Sequence, residues 1–187
     1  SDQDLLGQQD VRKMIVILEA LTHFGEDAYL PAVLHLDLFK LEPLAVYGLI
    51  RQAYETKQSM WQLLKTDQGL SGVYEKLKTW HAWSQNDDLL SVSEKLVRDS
   101  GILESILTSA DAEDRFEAIR RLYSEVGTLV ESRPDAKLID FFNYIATVKT
   151  HSLFIKRAKL GGRKGKVRLM TAHRSKGLEF NEVFIMG

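Results

Sequence analysis

Apolar side chains recur along this chain at steps of three and four, the period of amphipathic helices, for about four-fifths of its length. Val11, Met14, Ile15, Leu18, Leu21 and Thr22 predict a first helix from Asp10 to Phe24, with Asp10 as N-cap and Gly25 as its stop. A second helical pattern starts near Glu26 and Asp27 and carries Leu30, Val33, Leu34 and Leu36. It accommodates Pro31 only in its first turn. Leu38 to Pro43 reads as a turn. Pro43 to Lys57 is then a helix whose Leu44, Val46, Tyr47, Leu49, Ile50, Ala53 and Tyr54 are expected in the core, and Met60 to Lys65 is a shorter one.

The same period continues after the Gly69 to Gly72 break. Val73, Leu77, Trp80 and Trp83 form a wide stripe, which assigns the tryptophans, Trp61 included, to the core rather than to base stacking. Asp88 caps a helix through Val92, Leu96 and Val97 that stops at Ser100 and Gly101, and Ile102 to Leu107 forms a helical turn. Asp111 to Val130 and Lys137 to Lys149 are the last two helical stretches. Beyond His151 the period changes to two, with Val167, Leu169 and Thr171 alternating and Val183 to Ile185 forming an apolar run. These are two strands joined by the polar loop 172–182. Two such strands cannot bury both faces alone, so they are expected to open a second domain that continues beyond this chain.

The expected organisation is therefore a helical body over 1–155, a basic Gly-containing linker over 156–166, and a strand-loop-strand over 167–187. The fold class is mainly α. Charge divides at the same place: residues 1–155 carry 16 Lys and Arg against 24 Asp and Glu, and residues 156–187 carry 9 against 2. A basic end on an acidic body suits an anionic partner such as nucleic acid. The absence of cysteine excludes disulfides and thiol chemistry, and His23, His35, His81 and His151 show no metal-site spacing. Asp87, Asp88, Asp111 and Asp114 read as helix starts rather than acid pairs. No run approaches the ~18 apolar residues of a membrane helix, and the first residues have no signal-peptide pattern. No membrane contact and a cytoplasmic location are expected.

The chemistry concentrates in VRLMTAHRSKGLEFNEVFIMG, residues 167–187. Thr171, His173, Ser175 and Lys176 at the carboxyl end of a strand supply donors for phosphate oxygens. Gly177 allows close backbone approach, and Glu179 offers an acceptor for a ribose hydroxyl. This stretch closely resembles motif V of superfamily 1 helicases of the UvrD, Rep and PcrA type, including the related RecB and AddA proteins. Thr171, His173, Lys176, Gly177, Leu178, Glu179 and Phe180 fall on that family's T-x-H-x-x-K-G-L-E-F pattern. The resemblance implies that 1–155 corresponds to the helical subdomain 2B, a regulatory insertion contacting duplex or partner proteins, and 167–187 to the start of the RecA-like domain 2A.

It further implies that Thr171 and His173, with Ser175 and Lys176, contact single-stranded DNA, while Gly177 and Glu179 face the nucleotide. Lys164 and Lys166 are the candidate phosphate contacts of the linker. ATP and Mg2+ would belong to the longer protein, because no G-x-x-x-x-G-K-[ST] phosphate loop occurs here and this chain alone should be inactive. The missing RecA-like domains and single-stranded or duplex DNA are the implied partners, with repair or recombination as the setting. One departure is that Leu38 to Pro43 reads LFKLEP, without the Gly-x-Gly hairpin that often holds duplex DNA in such proteins; this points toward the RecB and AddA branch. The alternative reading is a non-catalytic helical module that binds another repair protein.

Overall fold

A computed structural model describes residues 5–150 of the chain, and among them it contains nine α-helices and no strand. These are α1 (Gln9–Thr22), α2 (Leu30–Leu34), α3 (Pro43–Thr56), α4 (Met60–Thr66), α5 (Ser71–Asn86), α6 (Leu89–Asp99), α7 (Ile102–Leu107), α8 (Ala112–Ser132) and α9 (Leu138–Thr150). The helical body expected from the periodicity is thus present. The strand-loop-strand expected at 167–187 lies outside the described residues.

Helix α1 is the centre of the body. It packs against α2, α5, α8 and α9. Val11, Met14, Ile17, Leu18, Ala20 and Leu21 are buried there, on a continuous hydrophobic core that includes Trp80 and Phe141. Burial of this kind contributes roughly 1.5–3 kcal/mol per large apolar side chain. Around this centre, α4 packs on α5, α5 on α6, and α6 on both α7 and α8. Helix α3 sits at the edge, against α2 and α4.

Local chemistry explains most boundaries. Pro31 and Pro43 occupy the first turns of α2 and α3, where the missing N–H is no loss. Gly25 and Gly101 adopt positive φ, 95° and 88°, after α1 and before α7, a conformation that a side chain would strain. The Asp88 side chain accepts from the Ser91 amide as the cap of α6, and its hydrogen bonds with Ser91 hold the carboxyl below the usual aspartate range. Asp111 stands at the N-cap of α8 without such a bond.

Three sequence expectations are corrected. Asp10 does not cap α1: the N-cap is Gln8, and Asp10 lies in the first turn with only 1% of its surface exposed. A charge so buried needs a partner, and the Arg115 guanidinium, 105 residues away, grips it through two bonds of 2.7 and 2.8 Å. The second helix is also shorter than its apolar pattern, since Leu36 falls outside it and Asp37–Phe39 forms a 3-10 turn. The third correction concerns α3. Its apolar positions do not form one core stripe, because only Val46 and Leu49 are buried, whereas Leu44, Tyr47 and Tyr54 are exposed.

Candidate functional site

Every residue singled out by its chemistry in the sequence, Thr171, His173, Ser175, Lys176, Gly177, Glu179, Lys164 and Lys166, lies outside the described residues. Within those residues, no group of three or more His, Asp or Glu side chains is arranged to hold a metal. No helix there is long and apolar enough to cross a membrane. The described body shows polar contacts that tie its helices together and an exposed apolar stripe.

The scaffolding is a set of buried polar locks. Arg115 on α8 binds Asp10 on α1 and also donates to the carbonyl of Ser105 (3.3 Å) and its hydroxyl (3.0 Å) on α7, tying three helices together. The hydrogen bond to the Asp10 carboxylate raises the guanidinium pKa further, outweighing partial burial. Lys13, nearly buried one turn along α1, reaches Asp37 at 2.8 Å. Asp27 caps α4 from another part of the chain: its carboxylate accepts from the Ser59 hydroxyl (2.9 Å), the Met60 amide (3.0 Å) and the Trp61 amide (3.3 Å). The Trp61 indole N–H donates to the Glu26 carbonyl at 3.1 Å.

The tryptophans behave as the periodicity indicates. Trp61 and Trp80 are buried and Trp83 is half-buried. The Trp80 indole N–H donates to Asp99 at 2.6 Å, which satisfies its polar edge in the core. Phe24 stacks on His81 with centroids 4.4 Å apart, and its ring also meets Trp61. The His81 Nδ1 faces the Leu21 carbonyl at the end of α1. These rings are structural, joining the end of α1 to α4 and α5.

An exposed apolar stripe lies on α3. Leu44, Tyr47 and Tyr54 are 84%, 68% and 75% exposed, and Arg51 stands between the tyrosines on the same line, its side chain also largely exposed. The spacing of three, four and three places all four on one stripe. At about 100° per residue this stripe is centred roughly 130° from the buried direction of Val46, Leu49, Ile50 and Ala53. That projection is the signal the sequence carries: eight apolar positions in fourteen residues span too wide an arc for one neighbour to cover. Lys57, just past the helix at a left-handed φ of 58°, places its ammonium 4.3 Å from the Tyr54 ring centroid.

On another flank of α3, an open groove of about 580 Å³ runs beside the segment joining α4 to α5. Ala45 and Gly48 give it small walls, and the carboxylates of Glu42, Glu55 and Asp67 line it together with the cations of Lys40 and Arg51. Asp67 is itself committed to the turn, accepting from the Gly69 and Leu70 amides at 2.8 and 2.9 Å. The stripe of α3 is thus aromatic and cationic, whereas the groove is of mixed charge and shares Arg51 with it.

Comparison with known proteins reaches across most of the chain. The family model of the UvrD-like helicase C-terminal domain matches residues 13–187. The chain is 24% identical over 178 residues to an ATP-dependent helicase/nuclease subunit of Leuconostoc mesenteroides, covering 94% of this chain and 14% of that protein. It is 27% identical over 186 residues to the protein of the same name from Thermoanaerobacter sp., covering 95% and 15%. With the Ruminiclostridium cellulolyticum protein of that name, identity is 30% over 118 residues, covering 63% and 9%. The chain spans about one-seventh of the length of the first two relatives.

Proposed function

Because the chain belongs to the UvrD-like helicase C-terminal domain family, we propose that it is a segment of an ATP-dependent DNA helicase of the AddA-like helicase/nuclease type. In this reading, residues 1–155 are an accessory helical subdomain, and 167–187 begin the RecA-like domain that couples DNA to ATP. The observation that carries it is the family match continuing from α1 through the T-x-H-x-x-K-G-L-E-F segment at 171–180. The packing of α1 against α9 supports it, since a body whose first and last helices touch can be inserted within a larger domain.

The division of labour follows from the residue types. Thr171, Ser175 and Lys176 supply hydroxyl and ammonium donors, and His173 an imidazole, for the phosphates of a single strand, with Lys164 and Lys166 adding contacts upstream. Gly177 lets the backbone close on the nucleotide, and the Glu179 carboxylate accepts from a ribose hydroxyl. Because the two groups of residues share one loop, a change in nucleotide state shifts the grip on DNA. ATP with Mg2+, bound by parts of the longer protein, supplies the phosphoryl-transfer energy. This chain has no phosphate loop of its own and is inactive alone.

The test uses the full-length protein that carries this chain. His173→Ala is expected to weaken single-strand binding and DNA-stimulated ATP hydrolysis, and Glu179→Ala chiefly to raise the KM for ATP. Wild-type kinetics in both variants overturns the assignment. The second reading, a non-catalytic helical module, is favoured by the exposed stripe on α3; a phosphate-loop motif elsewhere in the same polypeptide decides for the motor, and its absence for the module.

A further inference from the structure

We infer that the outer stripe of α3, Leu44, Tyr47, Arg51 and Tyr54, is a docking surface for an amphipathic helix that carries acidic residues beside its apolar seam. The inference is independent of the motor reading and concerns none of residues 151–187. Single exposed apolar residues need no explanation, but three large ones aligned on one helix face around an arginine do. Tyrosine and arginine are the residue types that dominate binding energy at protein interfaces, because they bring large contact area together with a polar tip. Their spacing of three, four and three matches the seam that two packed helices share.

The chemistry of the occupant follows from charge. Residues 5–150 carry 16 cations against 22 carboxylates, yet residues 40–57 carry three cations against two. Of these, Arg51 meets Glu55 only at 3.8 Å and both side chains are largely exposed, a pairing worth little. The Lys57 ammonium rests over the Tyr54 ring and makes no ion pair among the described residues. By contrast, Lys13, Lys95 and Arg115 hold carboxylates at 2.7–2.8 Å. The stripe therefore presents two cations, Arg51 and Lys57, with pairing capacity largely unused; Arg51 also borders the groove, where it and Lys40 face Glu42, Glu55 and Asp67. An acidic helical peptide satisfies this arrangement. Nucleic acid satisfies it less well, because Leu44, the most exposed of the four, offers no ring to stack on a base and the body is acidic overall.

The test is fluorescence anisotropy with two labelled synthetic helices of roughly 15 residues, enough to span α3 at about 1.5 Å per residue. Both have leucines along one seam; one is flanked by glutamates and the other by lysines. The glutamate-flanked helix is expected to bind this chain at least about tenfold more tightly than the lysine-flanked one, and Tyr47→Ala with Tyr54→Ala to remove that binding. Arg51→Glu is expected to reverse the preference between the two helices. All three side chains are exposed, so unchanged circular dichroism and melting of the variants confirm that only the surface has changed. Equal binding of both helices, or binding indifferent to the variants, overturns the proposal. Two other results also overturn it: oligothymidylate binding lost in the same variants reassigns the stripe to nucleic acid, and concentration-dependent sedimentation lost in them reassigns it to a second copy of this chain.

Discussion

Helices α1 and α3 each have fourteen residues and a clear apolar pattern, but α1 buries eight of its residues and α3 only two. Composition does not separate them. What differs is the number of neighbours: α1 is covered by helices from both halves of the body, whereas α3 packs mainly against α2 and α4. In α1, even the charged positions are drawn in, with Asp10 and Lys13 buried and each given an opposite charge. In α3, apolar positions are left out in water. An amphipathic pattern therefore reports which side chains are able to be buried, and the partners available decide which are.

Removing the acid at the centre should cost the body most. Asp10→Ala leaves the Arg115 guanidinium, mostly buried, without its counter-charge and is expected to destabilise the fold by about 4 kcal/mol. Chemical denaturation with an unchanged m-value checks it; a loss below ~1 kcal/mol would mean that the pair does not hold α1, α7 and α8 together. A matched pair of truncations comes next. Leu18→Ala, at a fully buried site on α1, is expected to cost about 3 kcal/mol, and Leu44→Ala on α3 no more than ~0.5 kcal/mol. Similar losses at the two sites would show that the outer stripe is packed in solution.

A weaker dependence is expected in alkali. Burial raises the Tyr123 hydroxyl, which donates to the Ser93 carbonyl at 3.0 Å, to about 12; the nearby Glu94 adds to the shift and Arg98 opposes it. Burial, together with the Glu125 carboxylate at 2.8 Å, raises Tyr144 to about 12 as well. Both folded values lie above the unfolded value of about 10, so the stability these protonated hydroxyls contribute is complete below pH 10 and is lost as pH rises toward 12. Melting curves across that window should fall less steeply for Tyr123→Phe and Tyr144→Phe than for the wild type. An identical slope would remove both hydroxyls from the balance that holds α6, α8 and α9.

Much of the helical body is legible in the sequence because its signals are local. The prolines of α2 and α3, the glycines after α1 and before α7, and the Asp88 cap all act within one turn of the feature they set. The role of Asp10 is not legible, since an acid near a helix start reads as a cap and its partner lies 105 residues further on. Asp27 is hidden for the same reason, its clients Ser59, Met60 and Trp61 lying more than thirty residues away. The periodicity misplaces Leu44, Tyr47 and Tyr54 because a wide apolar arc carries no mark of how many neighbours will come to cover it. The motif at 171–180 has the opposite character: residue types and spacing alone carry its reading.

The contact between α1 and α9 has a mechanical consequence. When the chain on either side of the helical body is pulled, tension enters at the first helix and leaves at the last, and those two already touch. The α1–α9 contact lies directly between those two points, and α8, which packs on both helices and holds α1 through the Asp10–Arg115 clasp, shares the load. Tension applied at the two ends therefore has a short path through α1, α8 and α9, and α3, packed mainly on α2 and α4, stands apart from that path.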